Sequence, residues 1–222
     1  DRPRTTMAPF RMCDECAAEY ENVGDRRFYS QTNSCTRCAV QLELTNLENG
    51  DVERNQSRCL DHAVTALKKG EILAVKGIGG YLLMVDAANA GAVRRLRRRK
   101  HRPRKPLALL YPSMEVLAQD VFLSDTERAE WHDPSAPIVL YRFRPGLRDR
   151  LPVEDLAPGL GRIGVMPPYA PLLSLIMKRT ARPLVATSGN ISGSPIVYHD
   201  SEAREALGAI ADHILTNNRD IA

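Results

Sequence analysis

Four of the five cysteines fall as Cys13-x2-Cys16, an 18-residue gap, then Cys35-x2-Cys38. That doubled knuckle is the spacing of a structural zinc site. Two thiolates on one tight turn reach the same ion, and a second pair brought back by a short loop closes a tetrahedron with no position open to water. Such a site holds structure and does no chemistry. Two disulfides or four unrelated thiols are the plainer alternatives, and this spacing favours zinc over both.

The stretch Ala17 to Ser34 is polar and lacks a long apolar run, so it buries little by itself. Modules below about 40 residues usually need a metal or disulfides, which makes zinc binding here part of the folding free energy. Cys59 stands apart. It lies where Leu60, Val64 and Leu67 recur at helical spacing, and reads as a free thiol on or near a core face rather than a nucleophile.

The 222 residues are 43% hydrophobic, enough for a real core. No apolar run approaches the roughly 18 residues needed to span a bilayer, and Asp1 to Arg4 has no signal-peptide core, so a cytoplasmic location is expected. The formal charge of +4 becomes about +2 once four zinc-bound thiolates and one Zn(II) are counted. The distribution of charge says more than its sum. Between Arg94 and Lys105 nine of twelve residues are basic. Ala90 to Lys100 reads as a helix with Val93 and Leu96 inward, and its like-charge pairs Arg94/Arg98 and Arg95/Arg99 are mildly destabilising. Pro103 and Pro106 end that helix and hold Lys100, Arg102 and Lys105 on a stiff connection. A solvated basic face is one reading of this run; the fixed cations favour a phosphate-binding edge.

Asn, Glu, Gly50 and Asp51 cluster between Asn46 and Asn55, which predicts a boundary with a metal module at 1–48 and a second domain over 52–222. In the second, a helix over Ser57 to Lys69 stops at Gly70, and strands are expected at Ile72 to Lys76, Leu107 to Tyr111, Pro137 to Phe143, Ile163 to Met166, Pro183 to Thr187 and His213 to Thr216. Helical patterns lie at Ala170 to Lys178 and Ser201 to Ala211. The alternation predicts an α/β or α+β domain on a mixed sheet, of the kind that carries its sites in the turns after strands.

Two such turns stand out. Lys76-Gly-Ile-Gly-Gly-Tyr81 sets three glycines in four positions, a tight turn or a place of close approach to a ligand. Thr187-Ser188-Gly189-Asn190 is either a plain Ser/Asn loop with no ligand or a turn whose hydroxyl, amide and backbone donors suit phosphate or carboxylate oxygens. No His-Glu-x-x-His pair or nucleophile elbow is present. An enzyme built on this chain works by positioning and charge neutralisation.

Taken together, Met12-Cys-Asp-Glu-Cys16, Asp25-Arg-Arg-Phe28 and Cys35-Thr-Arg-Cys38 resemble the second zinc finger of the HypF family, the carbamoyltransferases of [NiFe]-hydrogenase maturation. Lys76-Gly-Ile-Gly-Gly-Tyr81, Leu96-Arg-Arg-Arg-Lys-His-Arg-Pro-Arg-Lys-Pro106, Pro168-Tyr-Ala-Pro-Leu172 and Thr187-Ser-Gly-Asn190 are similar to that family's YrdC-like domain. The resemblance spans nearly the whole chain. Ala39 and Val40, Leu173 and Ser174, and Asn217 depart from the family pattern.

The resemblance implies a YrdC-like α+β fold behind a four-cysteine finger, and an ATP-dependent enzyme that makes carbamoyl-adenylate from ATP, with Mg(II), and carbamate released from carbamoyl phosphate. In the family, an acylphosphatase domain supplies the carbamate and a further domain passes the carbamoyl group to a cysteine of a HypE-like partner protein. Both domains lie outside this sequence, which looks like the middle of a larger protein. By the same likeness Lys100 and Arg102 bind phosphates and carry the catalysis, with Lys105 close behind. Ser188 and Asn190 form the nucleotide turn. Lys76, Tyr81, Thr187 and Arg219 complete the nucleotide and substrate set. Two other functions compete. One is threonylcarbamoyl-adenylate synthesis for tRNA modification, which the finger argues against. The other is RNA binding, double-stranded RNA included, on the Arg94 to Lys105 stripe, although only 5% aromatic residues leave few stacking platforms.

Overall fold

The computed structural model describes residues 2–222. After a short 3-10 turn at Arg2–Arg4 the elements run α1 (Asp14–Glu21), β1 (Leu42–Asn46), β2 (Val52–Glu53), α2 (Gln56–Lys68), β3 (Leu73–Lys76), β4 (Tyr81–Asp86), α3 (Ala90–Arg99) and β5 (Leu109–Leu110). They continue as α4 (Met114–Asp120), α5 (Asp125–Trp131), β6 (Val139–Arg142), α6 (Leu147–Arg150), α7 (Val153–Leu156), β7 (Arg162–Met166), α8 (Pro171–Thr180), β8 (Leu184–Ser188), α9 (Asp200–Gly208) and β9 (His213–Asn217).

One nine-stranded sheet follows the order β2-β1-β9-β3-β4-β8-β5-β7-β6. Only β3/β9 and β5/β7 are parallel; the other pairs are antiparallel, so this is the mixed sheet expected. Its central strands are buried on both faces. In β3, Leu73 and Val75 enter a core beneath α2 and α8, while Ala74 points into the core on the side of α3 and α9. In β4, Leu82 and Met84 share the first core, and Tyr81, Leu83 and Val85 the second. Burying a large aliphatic side chain contributes about 1.5–3 kcal/mol, so this double layer is the main source of cohesion.

α2 forms as its sequence demands. The Asn55 side chain accepts from the Arg58 amide at its start, Leu60, Val64 and Leu67 are buried on one face, and Gly70 turns out of the helix with φ +81°. Cys59 is fully buried there, its thiol directed at the Glu53 carbonyl at 3.1 Å, and burial pushes it up in pKa.

Two regions differ from the sequence reading. The polar stretch near Asn46 to Asn55 is a hairpin: Leu44 faces Glu53 and Thr45 faces Val52, and β1 pairs along its whole length with β9. The strand just after the last cysteine therefore belongs to the same sheet as everything that follows. Tyr81–Asp86 is a full strand paired with β3 and β8, and the glycine-rich turn before it is the bend of a β3/β4 hairpin. Its run Tyr-Leu-Leu-Met-Val-Asp shows no polar alternation because both faces are covered. No helix among the described residues is long and apolar enough to cross a membrane.

Candidate functional site

The β-sheet brings four chain segments to one edge. β3 ends at Lys76 beside the start of β4 at Tyr81, Ser188 ends β8 opposite Leu82, and the parallel pairing of β9 with β3 carries Asn217 to the same level. From β9 through β3 and β4 to β8 there are three inter-strand steps, so Asn217 and Ser188 lie about 14 Å apart along the edge.

The helix α3 delivers its cation through a Schellman ending. The His101 amide donates to the Arg98 carbonyl at 3.1 Å and the Arg102 amide to the Arg97 carbonyl at 2.9 Å, with His101 in the left-handed region at φ +53°. This bend turns Lys100 into the interior, fully buried, and sends Arg102 outward. Lys100 Nζ donates to the Ser188 carbonyl, the Asn190 carbonyl and Asn190 Oδ1, each at 2.6 Å. Ser188 Oγ also donates to Asn190 Oδ1, at 2.7 Å. The acceptors are carbonyl-type oxygens without formal charge, so among the described residues the ammonium has no counterion. Desolvation, helped by Arg102 and Lys105, brings Lys100 down to about 8. An anion placed beside it would relieve that cost.

Arg102 donates to the Lys105 and Pro106 carbonyls, at 3.3 and 2.6 Å, and burial holds its pKa down. Lys105 is exposed on the same loop. Behind them lies Arg97, buried, whose guanidinium donates to the carbonyls of Arg102, Pro103, Lys105, Asp155 and Leu156. Most of the basic run is thus compensated within the fold: Arg94 pairs with Asp155, Arg95 donates to the Gly70 carbonyl, and Arg99 pairs with Asp212. The continuous cationic stripe expected from the sequence is broken up; Arg94, Arg98, Arg104 and Lys105 remain exposed.

The two glycine turns pack on each other. A Cβ on Gly189 would come within 2.7 Å of the Tyr81 backbone oxygen, and one on Gly80, at φ +146°, within 2.7 Å of Ile196. Their absence lets the Gly189 amide reach the Tyr81 carbonyl, while the Tyr81 amide donates to Val197 and the Val197 amide to Gly189. The segment after Asn190 is thereby laced over the β4 start, and Ile78, Ile191, Ile196 and Tyr198 leave exposed apolar surface on the two loops.

Lys76 and Tyr81 meet on a residue the sequence reading did not single out. Lys76 Nζ, almost wholly buried, lies 2.6 Å from Asp200 Oδ2 and 3.0 Å from the Asn217 carbonyl; Tyr81 donates to Asp200 Oδ1 at 2.6 Å and contacts Thr216 Oγ1 at 3.1 Å. Burial first, then the Asp200 carboxylate, raises the Tyr81 pKa strongly. Asp200 opens α9, where a carboxylate is favoured by the helix dipole, and that position was its only sequence signal. Thr187 is buried in β8 opposite Leu83. Arg219 stands at the β9 end of the edge, its Nε donating to Thr6 Oγ1 at 2.8 Å. Lys100, Ser188 and Asn190 thus form one cluster, Lys76 and Tyr81 a second, and Arg219 the far end.

The four cysteines converge separately. The Sγ separations Cys13–Cys35, Cys35–Cys38 and Cys16–Cys38 are 3.6, 3.9 and 3.7 Å. Four sulfurs about 2.3 Å from one zinc form a tetrahedron with edges of about 3.8 Å, so the set fits that ion. Without a metal ion the four thiols are not equivalent: the Arg37 backbone N–H pulls Cys35 down to about 6, while burial pushes Cys16 up to about 12.

Comparison with known proteins agrees with both halves. The Sua5/YciO/YrdC family, described as "Telomere recombination", matches residues 65–222, and the "HypF finger" matches residues 12–45. The chain is 49% identical to a protein named carbamoyltransferase HypF from Rhodobacter capsulatus, over 100% of this chain and 29% of that protein. It is 43% identical to the HypF of Synechocystis, over 100% of this chain and 28% of the relative. A crystal structure of full-length HypF in the phosphate- and nucleotide-bound form superposes with a TM-score of 0.88 at 38% identity, covering 100% of this chain and 28% of that one. The chain spans under a third of the length of these relatives.

Proposed function

The chain belongs to the Sua5/YciO/YrdC family, with a HypF finger ahead of the family's domain, and on that premise we propose that it is the adenylate-forming piece of a HypF carbamoyltransferase. It binds Mg-ATP along the edge formed by β9, β3, β4 and β8. A carbamate oxygen attacks the α-phosphorus, the bond to the β-phosphate breaks, and pyrophosphate leaves. The product, carbamoyl-adenylate, passes to the remaining domains of the parent protein and then to a cysteine of a HypE-like acceptor.

The observation that carries this reading is the convergence of Lys100 with Ser188 and Asn190, 88 and 90 residues away in sequence, around a buried cation without a counterion among the described residues. Such a cation, with Arg102 and Lys105 on the same loop, suits a polyphosphate whose charge grows on the leaving oxygens. Lys76, Tyr81 and Asp200 form the floor between the two glycine turns, and Thr187 seats the second turn on the sheet. Zn(II) on Cys13, Cys16, Cys35 and Cys38 folds the finger.

Two other readings have less support. Threonylcarbamoyl-adenylate synthesis shares the fold, but the likeness to HypF takes in the finger as well as the domain. RNA binding is disfavoured because Arg95, Arg97 and Arg99 are turned to carbonyls and a carboxylate of the fold and the exposed Arg94 is paired with Asp155. The test is incubation of the zinc-loaded chain with Mg-ATP and either carbamate or bicarbonate plus threonine, followed by mass spectrometry. Carbamoyl-adenylate alone supports the proposal; threonylcarbamoyl-adenylate overturns it.

A further inference from the structure

The finger is not hung from the sheet by a loose tether. The segment 217–219 is gripped from both of its flanks. On the C-terminal flank, the Gln41 amide donates to Asn218 Oδ1 at 2.8 Å and the Asn218 amide returns to the Gln41 carbonyl at 3.1 Å. On the N-terminal flank, Thr6 Oγ1 accepts from Arg219 Nε at 2.8 Å.

Thr6 is itself fixed to the metal module. Arg2, buried, donates to the carbonyls of Phe10, Gln31 and Asn33 at 2.7, 2.6 and 2.9 Å, and so pins the first ten residues against the second half of the finger. Asn33 in turn donates to the carbonyl of Cys16, one of the four thiol residues, at 2.9 Å. Met7, next to Thr6, is 2% exposed. The hydroxyl that meets Arg219 therefore rides on a rigid body whose centre is the cysteine cluster.

Arg219 uses only Nε in this contact. Among the described residues its two terminal nitrogens make no hydrogen bond or ion pair, while its own amide donates to Asn217 Oδ1 at 3.1 Å and the Asn217 carbonyl accepts from Lys76. A guanidinium held at Nε, with both terminal nitrogens left on one side, is prepared for bidentate contact with a phosphate or carboxylate. We propose that Thr6 is a positioning residue: through it the finger forms one wall of the nucleotide site and aims Arg219 along the edge toward the phosphates. The inference rests on the ATP reading above, and it gives the metal module a part in ligand binding as well as in folding.

The test compares the zinc-loaded chain with its Thr6→Val, Thr6→Ser, Arg219→Ala and Thr6→Val/Arg219→Ala variants, measuring zinc content, thermal midpoint, and affinity for ATP and for adenosine. Valine keeps the shape of threonine and removes the hydroxyl. Thr6→Val is expected to keep its zinc and its thermal midpoint and to bind ATP about five- to tenfold more weakly, with adenosine unchanged. Thr6→Ser should bind ATP like the parent, and the double variant no more weakly than Arg219→Ala alone. Unaltered ATP affinity in Thr6→Val, or losses that add in the double variant, would overturn the inference. A Lys100→Ala control separates the two claims. If the parent chain binds no ATP, or binds it equally well without Lys100, the nucleotide reading fails and this one with it; if Lys100→Ala alone weakens ATP, only the role of Thr6 has failed.

Discussion

Lys100 and Asn190 are joined twice: the ammonium lies 2.6 Å from both the backbone and the side-chain oxygen of Asn190. The lysine is thereby the keystone of the 188–190 turn as well as a phosphate ligand in the proposed function, and the two roles separate by pH. Its pKa is about 8 in the folded chain against an ordinary 10.5. Between those values the unfolded chain binds more protons than the folded one, so the lysine's contribution to stability rises as pH climbs from 8 to 10.5. Phosphate binding needs the ammonium and runs the other way. ATP affinity should be level below pH 8 and fall above it by up to about tenfold per pH unit. Titration calorimetry from pH 6.5 to 9.5 checks this, with Lys100→Met as the control, which should bind weakly and without that fall. A flat profile for the parent chain would remove Lys100 from the phosphate site.

How much of this was legible in the sequence depends on the range of the interaction. The cysteine knuckles are local, and their spacing already dictated the tetrahedral cluster. The Ser188 and Asn190 turn and the Lys100-x-Arg102 stretch stood out as separate segments. That they touch depends on β4 lying between β3 and β8, a long-range pairing that no local pattern in the Tyr81–Asp86 run specifies. Arg97 and Arg98 are identical in type and adjacent in sequence, yet one is buried among carbonyls and the other exposed; only the packing of α3 against α7 tells them apart. Asp200 had no signal beyond its place at a helix start, since its partners Lys76 and Tyr81 are more than 110 residues away.

Chelation should unfold the finger and spare the sheet. Tyr20, Phe28 and Tyr29 form an aromatic group with centroid separations of 5.1 and 4.6 Å, held between the two cysteine pairs. With zinc bound to Cys13, Cys16, Cys35 and Cys38, the chain should carry one ion. A strong chelator should release it and change the near-ultraviolet circular dichroism, while the far-ultraviolet strand signal persists. Cys35→Ser should reproduce the released state. A near-ultraviolet spectrum indifferent to metal removal would contradict the assignment.

Arg97→Met is expected to destabilise the chain by about 2 kcal/mol, because the part-buried carbonyls of Arg102, Pro103 and Asp155 lose their donor. Arg97→Lys should not recover the loss: one ammonium does not span two segments as the guanidinium fork does. Urea denaturation checks both variants, the expected change being a lower midpoint at constant slope. Stability equal to the parent in Arg97→Met would mean that water satisfies these carbonyls.

Asp200→Asn separates charge from shape at the floor of the site. The amide can still accept from the Tyr81 hydroxyl, but Lys76, whose side chain is 1% exposed, loses its only carboxylate partner among the described residues. Breaking a fully buried pair costs about 3–5 kcal/mol, and the half-open side of Asp200, 40% exposed, lowers the expectation here to about 1–3 kcal/mol. The uncompensated Lys76 would also add a second positive centre near the nucleotide edge. ATP should therefore bind at least as tightly to Asp200→Asn as to the parent even though the fold is weaker, and adenosine should show no such gain. Calorimetric affinities for the two ligands, set beside the thermal midpoint, decide it: a fall in ATP affinity larger than that for adenosine would mean that Asp200 itself contacts the nucleotide or its metal ion, and that the Lys76 pair is exchanged when the ligand enters.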